Sequence, residues 1–171
     1  AWRKDRRERS VLDSWRYQVS WTPLEAGRAS LDGHWLVAGA DDRLKQALRS
    51  LGASVSETVD PDVEYAGVLS TLDAAATLEL LQILEVDAPV WAVTRGAVSV
   101  GRSDNLTDPV AAQVWGLGRV AALELPDRWG GLIDLPAELD ERAISRLGWV
   151  LTGGSGEDQV AVRASGVYGR R

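Results

Sequence analysis

Residues 108–124 read DPVAAQVWGLGRVAALE, and the fold turns on whether Gly116 and Gly118 lie in a loop or in a helix. The run Gly116-Leu117-Gly118-Arg119-Val120-Ala121 matches G-x-G-x-x-A, the pattern of a loop that cradles a dinucleotide pyrophosphate. Such a loop needs a strand before it and a helix after it, with the helix N-terminus facing the phosphates. Here the residues before the glycines are already helical in pattern. Asp108 suits the N-cap and Pro109 the first helical turn. The spacing therefore predicts one helix over 108–124 with both glycines inside it, where each costs roughly 1 kcal/mol relative to alanine. Close packing of a neighbouring element over that helix explains them better than phosphate binding does.

Outward from this helix, strand and helix patterns alternate. SWRYQVSW (14–21) puts Trp15, Tyr17, Val19 and Trp21 on one face and Arg16, Gln18 and Ser20 on the other. That period of two marks a half-buried strand, ended by Pro23. HWLVAGA (34–40) reads as a buried strand, and DDRLKQALRSLG (41–52) as a helix burying Leu44, Ala47, Leu48 and Leu51, with Gly52 as its stop. ASVSETV (53–59), YAGVLS (65–70), APVWAVT (88–94) and GGLIDLP (130–136) are strands. LDAAATLELLQILE (72–85) is a strongly periodic helix and LDERAISRLGWVLTG (139–153) a last one, before DQVAVRASGVYGRR (158–171) closes as strand or hairpin. Repeated strand–helix–strand units imply an α/β fold with a mainly parallel sheet flanked by helices. Trp35, Val37, Trp91 and Val93 are expected in central strands, with Trp115 and Leu123 packed against them. Residues 1–9, AWRKDRRER, hold five basic and two acidic groups and read as a linker or short solvated helix.

Groups able to do chemistry are scarce. VLTGGSGED (150–158) places glycines after an apolar run, but EDQVAVR then alternates like a strand, and Glu157 and Asp158 would repel a pyrophosphate. WLVAGADDRL (35–44) has the shape of a nucleotide-binding turn, yet offers one glycine, Gly39, followed by Asp41 and Asp42. A tyrosine–lysine reductase site needs Lys four residues after Tyr, so that the cation lowers the phenol pKa. None of Tyr17, Tyr65 or Tyr168 has it. His34, the only histidine, lacks a G-x-S-x-G partner and reads as a surface imidazole. One histidine among scattered carboxylates makes no metal site, and the acidic residues read as helix caps. The sequence predicts no catalytic, cofactor-binding or metal-binding residue.

Composition sets the class. The 171 residues are 45% hydrophobic and 26% charged, as in globular domains, with no apolar run of membrane-spanning length and no signal-peptide pattern. A net charge of −6 argues against nucleic acid as a general partner. With no cysteine there are no disulfides or thiolate sites, which fits the cytoplasm. The absence of Met predicts a segment of a longer chain. Arginine far outnumbers lysine and Ala, Val, Leu and Gly dominate, a bias of GC-rich coding that points to an actinobacterial source.

SWRYQVSWTPL, APVWAVTRGAVSVG, VWGLGRVAALELPDRWGGLIDLP and GEDQVAVRASGVYGRR together resemble the N-terminal, structural subdomain of ketoreductases in modular type I polyketide synthases. The resemblance runs over residues 12–171. It implies a truncated Rossmann-like, short-chain-reductase-like unit over 14–171 behind an inter-domain linker at 1–13. It also implies a second, catalytic subdomain outside this chain, which binds NADPH and reduces β-ketoacyl groups carried on the phosphopantetheine of an acyl carrier protein. The chain alone is then inactive, and it stabilises and positions that half among neighbouring synthase domains. Two alternatives are a linker or dimerisation element of the synthase module, and an independent nucleotide-binding reductase. The aromatic face of Trp15, Tyr17, Val19 and Trp21 is the expected partner interface, and the two chain ends are expected to pair.

Overall fold

A computed structural model describes residues 18–171. Eight strands and four helices follow one another as β1 (Trp21–Leu24), β2 (His34–Ala38), α1 (Asp42–Ser50), β3 (Ser54–Ser56), β4 (Tyr65–Ser70), α2 (Ala74–Ile83) and β5 (Val90–Arg95). Then come α3 (Ala112–Glu124), β6 (Trp129–Leu135), α4 (Glu141–Leu151), β7 (Gln159–Arg163) and β8 (Gly166–Arg170). All strands join one sheet in the order β1-β8-β7-β6-β5-β4-β2-β3. Strands β2 to β7 are parallel, while β8 turns back on β7 and β1 runs antiparallel to β8. The chain thus winds outward from β2 to β3, returns past β2, and winds the other way from β4. This is a doubly wound, Rossmann-like sheet.

The strands are apolar on both faces because helices cover both. On one face α1 and α4 bury Leu44, Leu48, Leu147 and Val150 against Trp35, Val37, Trp91, Val93 and Ile133. On the other, α2 and α3 bury Leu81, Val114 and Trp115 against Leu36, Val68, Val90, Ala92 and Leu132. The expected quartet of Trp35, Val37, Trp91 and Val93 is therefore in place on central strands. Its expected partners are not: Trp115 packs on the opposite side of the sheet, and Leu123 is exposed. This layering also fixes crossover hand. The β4-α2-β5 and β5-α3-β6 units step in one direction on one face, and β2-α1-β3 steps in reverse on the other. These three share the right hand of nearly all such units. The β6-α4-β7 unit steps with α2 and α3 but lies on the α1 face, so it is left-handed.

Local chemistry accounts for the boundaries. Asp41, Asp73 and Asp140 cap α1, α2 and α4 by accepting from the N–H of Leu44, Ala76 and Ala143. Asp108 instead accepts from the N–H of Val110 and Ala111, so it caps a tight turn, and α3 begins only at Ala112. Helix α2 forms where the sequence indicates, but Leu78 and Ile83 are exposed, so its apolar residues are not confined to one stripe. The opening strand is shorter and later than its alternation suggests: β1 begins at Trp21 and runs through Pro23. At the sheet edge a missing N–H breaks no ladder. Trp15 and Tyr17 lie outside the described residues.

The connection from β3 to β4, residues 57–64, contains no helix, which is where this unit is pared down. Lys45 on α1 holds it, buried between Asp42 at 2.6 Å and Glu57 at 2.9 Å. The Tyr65 hydroxyl supports it from the other side, accepting from the Asp60 N–H at 2.9 Å. His34 is half-buried rather than a surface imidazole. Its ring stands edge-on to Tyr65 at 5.3 Å, and its Nε2 is buried without a hydrogen-bond partner.

Candidate functional site

In open α/β sheets ligands bind beyond the carboxyl ends of the strands, where the winding reverses. Here that point lies between β2 and β4, above Gly39 and Thr71, and the chain fills it with its own groups. Gly39 has φ +115°, and a Cβ there would run into Thr71 Oγ1. The Thr71 N–H donates to the Ala38 carbonyl at 2.9 Å, so the two loops are pinned together. Asp41 occupies the N-terminus of α1, where a phosphate would sit. Its Oδ1 accepts from the Leu44 N–H at 2.9 Å and its Oδ2 from Arg95 at 2.5 Å. The positive end of the helix is thereby neutralised by a carboxylate that an arginine from β5 holds in place. A cavity of about 300 Å³ beside it, at the ends of β4 and β5, is lined by Thr71, Asp73, Thr94, Arg95 and Asp108.

Farther along the same edge of the sheet, Asp134 and Arg163 form a buried clasp. Asp134 is fully buried on β6; its Oδ1 accepts from Thr94 Oγ1 at 2.6 Å and from the Ala97 N–H at 3.0 Å. Arg163, at the end of β7, donates to Asp134 Oδ2 at 2.7 Å and to Asp104 at 2.8 Å. Its remaining donors reach the carbonyls of Val98, Asp134 and Val162. Trp115 Nε1 donates to Thr94 Oγ1 at 2.9 Å and ties α3 to the same group. The clasp fastens the long loop after β5 across the strand ends. Sequence reasoning did not single out either residue. The available signal was Asp134 itself, one carboxylate in the apolar run GGLIDLP.

The glycine stretches sit where the sequence puts them. Gly116 and Gly118 lie inside α3. A Cβ at Gly118 would stand 2.6–2.8 Å from three carbons of Leu132 on β6, whereas Gly116 faces open space. Close packing thus explains Gly118 and not Gly116. Gly153 and Gly156, at φ +77° and +62°, form the turn after α4, with β7 following. The Tyr168 hydroxyl bonds Ser165 Oγ at 2.9 Å, in the β7–β8 turn. Among the described residues no three of His, Asp and Glu cluster as metal ligands. A larger open groove of about 720 Å³ lies between residues 24–28, α4 and that turn, lined by Arg28, Arg142, Arg146 and Glu141.

Of the aromatic strand, Val19 is exposed, and Trp21 packs edge-on against Trp115 at 5.8 Å. Terminal pairing is present: β1 zips onto β8, and Ser20 and Arg171 exchange two backbone hydrogen bonds at 3.0 and 2.8 Å.

The family model described as "Polyketide synthase extender module SpnB, Rossmann fold domain" matches residues 19–171. The chain belongs to that family. Its subdomain is the structural, Rossmann-like part of a modular type I polyketide synthase ketoreductase. Pikromycin polyketide synthase component PikAII of Streptomyces venezuelae is 45% identical over 210 residues, which take in 95% of this chain and 6% of the synthase. Erythronolide synthase EryA3 of Saccharopolyspora erythraea is 38% identical, over 94% of this chain and 6% of that protein. Among solved structures, a C2-type ketoreductase from a modular polyketide synthase superposes with TM-score 0.80 at 44% identity, covering 93% of this chain and 43% of its own. An A1-type ketoreductase gives TM-score 0.80 at 37% identity, covering 94% and 42%. The ketoreductase subdomain therefore accounts for less than half of the ketoreductases it matches.

Proposed function

We propose that this chain is the non-catalytic half of a polyketide synthase ketoreductase. In this reading residues 14–171 stabilise and position a second half that binds NADPH and reduces β-ketoacyl chains on an acyl carrier protein, and residues 1–13 link to a neighbouring domain. The observation that carries it is the Asp41–Arg95 pair closing the crevice at the winding reversal. A dinucleotide phosphate entering there would meet a carboxylate already bonded to the helix end, and Thr71 occupies the space over Gly39. Strand β1 and the exposed Val19 belong to the proposed contact with the second half, together with Trp15 and Tyr17. Trp21 supports that contact from behind through Trp115. The matched C2-type and A1-type ketoreductases share this part at the same TM-score, which suits a part that does not set reductase type.

Titration of the chain with NADPH, followed by cofactor fluorescence or heat, tests the reading. No saturable binding and no ketone reduction are expected. A stoichiometric complex of micromolar affinity would overturn it and favour an independent nucleotide-binding reductase.

A further inference from the structure

Gly116 lies inside α3 with no atom outside its own helix backbone and immediate neighbours within 4 Å of where its Cβ would stand. Interior helix positions disfavour glycine relative to alanine, and no packing within the chain explains this one. Val120 and Leu123, four and seven residues on, share its helix face and are 55% and 82% exposed. On α2, which packs beside α3, Leu78 and Ile83 are 44% and 68% exposed. Helices apolar around their circumference are ones covered on both sides. One side of this pair is covered by the sheet; the other bears large apolar groups and a gap where a side chain could stand.

We propose that Gly116 is the notch at which a helix from the remainder of the ketoreductase crosses α3, seated on Val120 and Leu123 of α3 and on Leu78 and Ile83 of α2. This rests on the reading of the chain as a structural half. The occupant follows from what the chain lacks: it covers 43% of the matched C2-type ketoreductase, so more than half of such a protein lies outside it. A helix fits because two adjacent helices present ridges and grooves, and axes approach most closely where a side chain is missing. The charged segment 1–9, with five basic and two acidic groups, does not match an apolar face. A second copy would bring together two chains of net charge −6.

The test joins this chain to the part of the C2-type ketoreductase that it does not match, giving a complete ketoreductase chain, and compares hydrogen exchange with the chain alone. Amides of 116–123 should exchange at least tenfold more slowly in the joined protein. Gly116→Leu should abolish most of that protection and leave the melting of the isolated chain no lower. If joined Gly116→Leu does not fold, the Val120→Ser, Leu123→Ser pair probes the same face. Protection confined to the β3 edge or the Arg28–Arg142–Arg146 groove overturns the helix notch and leaves the structural-half reading standing. Protection nowhere in this chain overturns both. Dimers of the isolated chain held through α3, or loss of existing α3 protection on removing residues 1–17, would assign the face to another occupant and overturn the proposal.

Discussion

At the scale of single residues, Arg163 uses all five of its N–H donors inside the fold, and Asp134 accepts at both carboxylate oxygens. Removing one member leaves the other charge buried without its partner, which costs about 3–5 kcal/mol. Asp134→Ala should lower unfolding stability by that amount in urea titrations, and Asp104→Ala, at the more exposed end, by about 1 kcal/mol. Equal losses would mean that the clasp is not organised around Asp134. Trp91→Ala should cost about 3–5 kcal/mol as a large-to-small core change. Gly130 makes room for the indole, since a Cβ there would collide with it. A loss under roughly 1 kcal/mol would place Trp91 outside the core. Trp91 was legible in the sequence because it interrupts nothing: it sits in a continuous apolar strand. Asp134 was harder to read, because a lone carboxylate in an apolar run does not reveal which distant arginine meets it. Arg163 follows 29 residues later.

At the scale of elements, strand and helix identities follow the sequence closely, and the errors have geometric causes. Trp115 and Leu123 are eight residues apart, which on a helix is two turns and about a further 80°. With Trp115 turned inward, Leu123 is rotated away from the sheet. Nor does periodicity say which face of the sheet a helix covers, so α3 was expected over Trp91 and instead lies over Val90 and Ala92. The left-handed β6-α4-β7 crossover could not have been anticipated from a rule that favours the other hand. The two glycines of α3 separate cleanly by substitution. Gly118→Ala should destabilise by about 1–3 kcal/mol by forcing Leu132 to move. Gly116→Ala should stabilise the isolated chain by about 0.5–1 kcal/mol. Paired thermal melts check both, and a reversal of the two signs would show that α3 is rotated from its described position.

At the scale of the whole molecule, the two ends of the described chain are sewn together. Besides the strand pairing, Arg171 bonds to Glu157, and those hydrogen bonds, with the attraction between the charges, hold the Glu157 carboxyl below its ordinary range. A depressed carboxyl stabilises the fold above its unfolded pKa and loses that contribution as pH falls through the folded value. The melting temperature of the wild type should therefore exceed that of Glu157→Gln near neutrality and converge on it below about pH 4.3. A gap independent of pH would show that the pair acts through packing instead. The same seam decides how the molecule meets mechanical load. A pull applied between Ser20 and Arg171 enters and leaves at one spot, and it peels β1 from β8 one hydrogen bond at a time, from Ser20 toward Leu24. The parallel strands behind that hairpin carry no tension until the seam has opened. In a multidomain synthase, strain passing between the neighbours of this unit would be absorbed by a four-residue strand, leaving the two packed layers undisturbed.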